Sequence, residues 1–177
     1  TTKFSENVLD ATDKWALSVE ENELTGLNDD QKIYLKQVAK NHNLDSQYAV
    51  GLDSPSYIMI MSYCDNRSLR EKIYKASASK AGPNDSVSDK YDNTNVAKKI
   101  LSLRSQIASI LGYSNYLEYS LANKFAEHPD DVQAFLDSLI EKVKPHAETE
   151  KEELASFIRG CENSPVEIEP WDIGYYV

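Results

Sequence analysis

Histidine is scarce in this chain. Three occur in 177 residues, His42, His128 and His146, and no two lie within a helical turn of each other. That excludes the HExxH pattern, in which two imidazoles one turn apart hold a zinc ion and the intervening glutamate serves as base. Cysteine is rarer still. Cys64 and Cys161 stand far apart, outside any CxxC motif, which excludes a disulfide-stapled scaffold and fits two reduced thiols in a cytoplasmic protein. The six glycines form no phosphate-cradling loop, and there is no GxSxG elbow. Positive charge is in deficit: 19 Lys and Arg against 29 Asp and Glu give a formal net charge of -10. Phosphate backbones and anionic membranes call for clustered cations, so neither nucleic acid nor membrane is an expected partner. No apolar run approaches the roughly 20 residues that span a bilayer.

What is present is helical periodicity. Phe4, Val8, Ala11, Trp15 and Val19 recur every three or four residues and predict a first amphipathic helix from about Ser5. Asn28, with Gln31 three residues on, has the form of a capping box opening a second helix whose inner side offers Ile33, Tyr34, Leu35 and Val38. Tyr48, Val50 and Leu52 alternate and predict a short extended piece. Ser54 then reads as the cap of a helix with Pro55 in first position, buried all round at Ile58, Met59, Ile60 and Met61. A turn at Asp65 and Asn66 leads into a helix with Leu69, Ile73 and Ala76 inward. Residues Ala81 to Asn95, rich in Gly, Pro, Asn, Asp and Ser, read as a loop.

The clearest stripe follows: Val96, Ile100, Leu103, Ile107, Ile110 and Leu111, with Asn93 as the expected cap and Gly112 as terminator. A short helix covers SNYLEYSLANKFA. The last long one opens at His128-Pro129-Asp130-Asp131, acids against the positive end of the dipole, and turns Val132, Phe135, Leu136, Leu139, Ile140 and Val143 inward. Pro145 is expected to kink or split it, with Leu154, Phe157 and Ile158 continuing to Gly160. The expected fold class is mainly α: a multi-helical bundle with short loops and at most one short strand region.

Candidate chemistry is thin. His146 with Glu148 and Glu150 is the one cluster worth weighing as a metal site, and it lies in a solvated charge run, whereas catalytic zinc needs three converging ligands. His128 reads as a capping or loop residue, and His42 as a helix-end residue. The acid pairs Asp29–Asp30 and Asp130–Asp131 are explained by helix dipoles. Tyr113, Tyr116 and Tyr119 lie near one helical face, where packing with satisfied hydroxyls outweighs a peptide groove. No catalytic, cofactor-binding or metal residue is assigned.

Taken in order, the stretches NVLDATDKW, DSPSYIMIMSYCDNRSLREKIYKA, GPNDSVSDKYDNTNVAKKILSLRSQIASILGYSNYLEYSLANKFAEHP and PWDIGYYV resemble the oligopeptidase A and thimet oligopeptidase family of zinc metallopeptidases. The likeness runs from about Phe4 to Tyr176. Phe125 departs from it, standing where a methionine is frequent, and the loop near Asp85 to Lys90 varies. The resemblance implies a cytoplasmic zinc endopeptidase for short peptides, with this chain as an internal piece of its helical half. Residues 1–169 would form a channel wall, and 170–177 the start of a segment leading into a catalytic half that carries the HExxH motif and a glutamate ligand. It also implies that zinc belongs to the intact enzyme and none is expected here, that the piece alone is inactive, and that it is a monomer. The aromatic end Trp171, Tyr175 and Tyr176 would then be an exposed, sticky surface able to drive a crystal or dimer contact. The alternative is a stand-alone helical interaction module without enzymatic activity.

Overall fold

The computed structural model describes residues 1–83, 89–126, 128–161 and 167–177. The expected loop over Ala81–Asn95 is therefore described only at its flanks; residues 84–88 lie outside. The chain is mainly α, with eight α-helices among the described residues and one two-stranded sheet, and it divides into two units. One comprises Thr1–Val96 with Ile168–Val177, the other Ala97–Glu167.

In the first unit, α1 spans Thr2–Lys14, starting earlier than Ser5, and buries Asn7 and Ala11. The helical stripe does not continue as its spacing predicts. At Trp15 the backbone turns extended, and Ala16–Val19 forms β1. It pairs antiparallel with β2, Tyr48–Gly51, in the register Ala16↔Gly51 to Val19↔Tyr48. Trp15 and Val19 thus leave the helix because a ladder of backbone hydrogen bonds from a distant segment outweighs local periodicity. β2 is the extended piece expected near Tyr48, and all four of its residues are buried.

Helix α2, Asp29–Asn41, opens with the anticipated capping box: the Gln31 N–H donates to Asn28 Oδ1 and the Asn28 N–H to Gln31 Oε1, both at 2.9 Å. Leu35 and Val38 face the core, whereas Ile33 is 61% exposed and Tyr34 sits at the edge. Helix α3, Ser54–Tyr63, is capped by Asp53 rather than Ser54, with Pro55 in its second position. It is also not buried all round: Ile60 and Met61 are inside, but Ile58 points to solvent. Helix α4, Arg67–Ser79, is capped by Asn66 and turns Leu69 and Ile73 inward. The core closes around Val19, Leu24, Leu35, Val50, Ile60, Leu69 and Ile73, with the Cys64 thiol sealed among them. Each large side chain there contributes about 1.5–3 kcal/mol by leaving water.

Asn93 does not spend its side chain capping α5 as expected. Its Oδ1 accepts from Asn7 Nδ2 at 2.9 Å, and its Nδ2 donates to the Phe4 carbonyl, tying the segment to α1. Asp92 takes over the capping role, accepting from the Thr94 N–H at 2.8 Å.

The second unit holds most of α5 (Thr94–Ile110), with α6 (Tyr116–Leu121) and α7 (Pro129–Cys161). Gly112 ends α5 as expected. At φ +82° it occupies the left-handed region, and the Tyr113 and Gly112 N–H groups return to the carbonyls of Ala108 and Ser109, a Schellman closure. Helix α7 is not split at Pro145; it runs through as one element of 33 residues, ending one residue past Gly160. The stripes expected to be core are largely solvent-facing. Ile107 is 44% exposed, Ile110 82%, Phe135 63% and Ile140 58%. The fully buried apolar side chains of this unit, among the described residues, are Ala108, Leu121 and Ile158.

Candidate functional site

The residues weighed for chemistry do not converge. His146, Glu148 and Glu150 are all exposed on α7, and among the described residues no group of three or more His, Cys, Asp or Glu side chains is placed to hold a metal ion. The His128 N–H donates to Asp131 Oδ2 at 3.1 Å, so this histidine marks the start of α7. His42 closes α2, its N–H returning to the Val38 carbonyl. Asp29 and Asp30 occupy the first turn of α2, and Asp130 and Asp131 that of α7, where the helix dipole favours them. Tyr113, just before α6, and Tyr116 and Tyr119 within it meet in tilted and edge-on contacts: Tyr119 lies 5.5 Å from Tyr113 and 5.6 Å from Tyr116, and the Arg104 guanidinium sits 5.1 Å from the Tyr116 ring. Cys64 is inert by burial, which raises its thiol pKa, and Cys161 is exposed.

Two polar constellations do form, both within the first unit. One fixes α8, Pro170–Tyr176. Asp172, buried, receives Arg67 Nη2 at 2.7 Å and Nε at 2.9 Å, and Arg70 Nη2 at 3.1 Å. Arg70 is itself buried, and its remaining donors go to the Trp171 and Cys64 carbonyls. Burial alone would raise the Asp172 pKa. Hydrogen bonds from Arg67, the Glu169 N–H and Arg70, with the Arg67 charge, more than offset it and hold the carboxyl below its usual range. The Tyr175 hydroxyl donates to Asp65 Oδ1, and the Arg70 guanidinium lies 4.1 Å from the Tyr175 ring centre. The aromatic end is thus docked, not the free surface the sequence suggested: Trp171 is buried, and Tyr175 and Tyr176 are half-buried. An acid one residue past a tryptophan carries no sign that two arginines a hundred positions earlier await it.

The other constellation is a cleft of about 640 Å³ where the C-terminal ends of α1 and α2 meet β2. Asp53 stands at its edge. Its Oδ1 accepts from the Ser56 N–H and from the Tyr34 hydroxyl, each at 2.9 Å. Burial alone would raise the Asp53 pKa, but the hydrogen bonds from Ser56 and Tyr34 outweigh it and keep the carboxyl below the usual value. Tyr34 shifts the other way, raised by burial and by its bond to Asp53. Gly51 lines the same cleft, and a Cβ there would lie 2.6 Å from Asp53 Oδ2. A side chain at this position would therefore displace the end of the Asp53 carboxylate. Sequence reasoning assigned none of these residues a role; the clue available was an Asp-Ser-Pro cap two residues after a glycine in a buried strand.

The model of Peptidase family M3 matches residues 60–177. The chain is 43% identical over 177 residues to Oligopeptidase A of Haemophilus influenzae, a match covering 98% of this chain and 25% of that protein. It is 40% identical over 175 residues to Oligopeptidase A of Escherichia coli, with the same coverage of each. A match at 35% over 186 residues, again 98% and 25%, is to the Probable cytosolic oligopeptidase A of Arabidopsis thaliana. The chain therefore spans a quarter of the length of these relatives.

Proposed function

Because the chain belongs to peptidase family M3, we propose that it is the helical scaffold portion of a zinc-dependent metalloendopeptidase that hydrolyses short peptides in the cytoplasm. In this reading residues 1–169 form a channel wall, and α8 begins the segment leading to the catalytic portion. The names of the relatives support the reaction class, and the Arabidopsis thaliana relative is named cytosolic. The observation that carries the scaffold role is the second unit's uncovered apolar surface. Helices α5 and α7 keep core-type stripes, Leu103, Ile107 and Ile110 on one, Phe135, Leu139 and Val143 on the other, yet all six are exposed. Isolated helices gain little from such side chains in water; the pattern suits packing against further protein.

The residues described do not fit a zinc site, and the sequence holds no HExxH, so no catalytic step is assigned to any side chain of this chain. The test compares two proteins from one gene. The 177-residue chain and the longer polypeptide containing it are assayed with quenched fluorescent peptides of about ten residues, and their zinc content is measured. Turnover and zinc are expected in the longer polypeptide alone. Turnover with stoichiometric zinc in the 177-residue chain would overturn the scaffold role. A longer polypeptide with neither would overturn the peptidase reading and favour a helical interaction module.

A further inference from the structure

The cleft between the ends of α1 and α2 has a chemistry of its own, separate from any peptidase site. Three features give it negative character. The C-terminal end of α1 contributes Asp13 and Lys14, and that of α2 contributes Asn41, His42 and Asn43. Both helices thus direct the negative ends of their dipoles at one space. The one lysine on the rim, Lys14, lies 3.5 Å from the Asp13 carboxylate, so these two charges largely offset each other. That leaves Asp53. Its Oδ1 accepts twice, the Ser56 side chain and the Asp53 N–H also favour the charged carboxylate, and Oδ2 lies on the side toward Gly51. A carboxylate held at one oxygen by a helix cap and a tyrosine cannot swing away, so its second oxygen is a fixed acceptor.

We propose that this cleft binds an organic cation, an alkylammonium group seated on Asp53 Oδ2 with its hydrocarbon stem against the exposed Leu9. A metal ion fits worse, because hard cations take six or more oxygens and no group of three ligating side chains converges among the described residues. An alkylammonium needs fewer acceptors and an apolar strip for its chain, and the cleft supplies both. Gly51 is the selecting element: a side chain there would push the carboxylate off its position.

The test is an NMR titration of the 177-residue protein with N-acetyl-lysine methylamide and with spermidine, using N-acetyl-norleucine methylamide as the uncharged control. Saturable shifts are expected at the amides of Gly51 and of Asn41 to Asn43 with one or both cations, and none with the control. A response to the lysine derivative points to a peptide side chain as the natural ligand; a response to spermidine alone points to a free polyamine. Asp53→Asn can still cap α3 and accept from Tyr34, and it is expected to weaken binding about tenfold or more, the effect of removing a charged acceptor. Gly51→Ala is expected to weaken binding as well, with a fall in melting temperature because the displaced carboxylate also caps α3, so Asp53→Asn, which keeps the cap, is the variant that separates binding from stability. Equal shifts with the norleucine derivative, shifts elsewhere on the protein, or undiminished binding by both variants would overturn the proposal. Because the readout is binding, failure here leaves the peptidase reading untouched, and the reverse also holds.

Discussion

The two units use the same kind of helix to different ends. In the first, apolar stripes find partners: Leu35, Ile60, Leu69 and Ile73 are sealed, and an ion cluster at Asp172 fastens α8 over them. In the second, α5 and α7 carry stripes at least as regular, and water covers most of them. Periodicity therefore reports which side of a helix is apolar, and does not report what lies against it. The first unit's stability comes from tertiary closure. The second unit's helices rest more on local devices, namely the Asn115 cap, the Gly112 closure, and acids at the start of α7.

That contrast can be broken or sharpened by substitution, because both tryptophans, Trp15 and Trp171, belong to the first unit. Tryptophan fluorescence follows that unit, and far-ultraviolet dichroism follows all helices. The largest effect is expected at Asp172. Asp172→Ala leaves Arg70 buried without its counter-charge, which costs about 3–5 kcal/mol. The fluorescence midpoint in urea should fall steeply, while much of the helical signal from α7 persists. Acid makes the same point. The folded Asp172 carboxyl is held below its unfolded value, so its contribution is complete above about pH 4 and lost as pH falls through the lower folded value. The wild-type fluorescence midpoint should therefore drop on acidification below pH 4, and the Ala variant should show a flatter profile.

Pro145→Ala comes next. It restores a backbone donor in mid-α7 and should stabilise that helix by at most about 3 kcal/mol. The dichroism melt should move up with the fluorescence melt fixed; joint movement of the two would mean that the units unfold as one. Smallest of all is the combined change Leu139→Gln, Ile140→Gln and Val143→Gln. All three residues are exposed, so the unfolding midpoint should move by less than about 0.5 kcal/mol per site, while solubility rises. A loss of several kcal/mol would mean that this face is covered in solution.

Local chemistry was the legible part. Asn28 and Gln31 and the Gly112 stop act within a few residues of themselves, and the sequence places both correctly; the turn expected at Asp65 and Asn66 is also there, with Asn66 found to cap α4. Asp53 and Ser54 are adjacent and equally good caps, and only the geometry of the turn decides between them. β1 was hidden because Trp15 and Val19 continue a helical spacing, and its true partner begins about 30 residues later. Asn93 reads as a cap because asparagine favours that position, yet its amide is committed to Asn7 and Phe4 far back in the chain. The cleft was illegible for the same reason: Asp13, His42, Gly51 and Asp53 come from four elements, and no spacing rule joins them.

The docking of α8 sets an order of events during synthesis. Arg67 emerges 105 positions before Asp172, and everything between must be translated before the pair can meet. Until then the nascent chain holds Arg70, buried in the finished unit, without its counter-charge, so the first unit can collapse but cannot lock. Ribosomes deliver roughly 5–20 residues each second, so this open interval lasts at least several seconds, and it is the period in which a chaperone could intercept the chain.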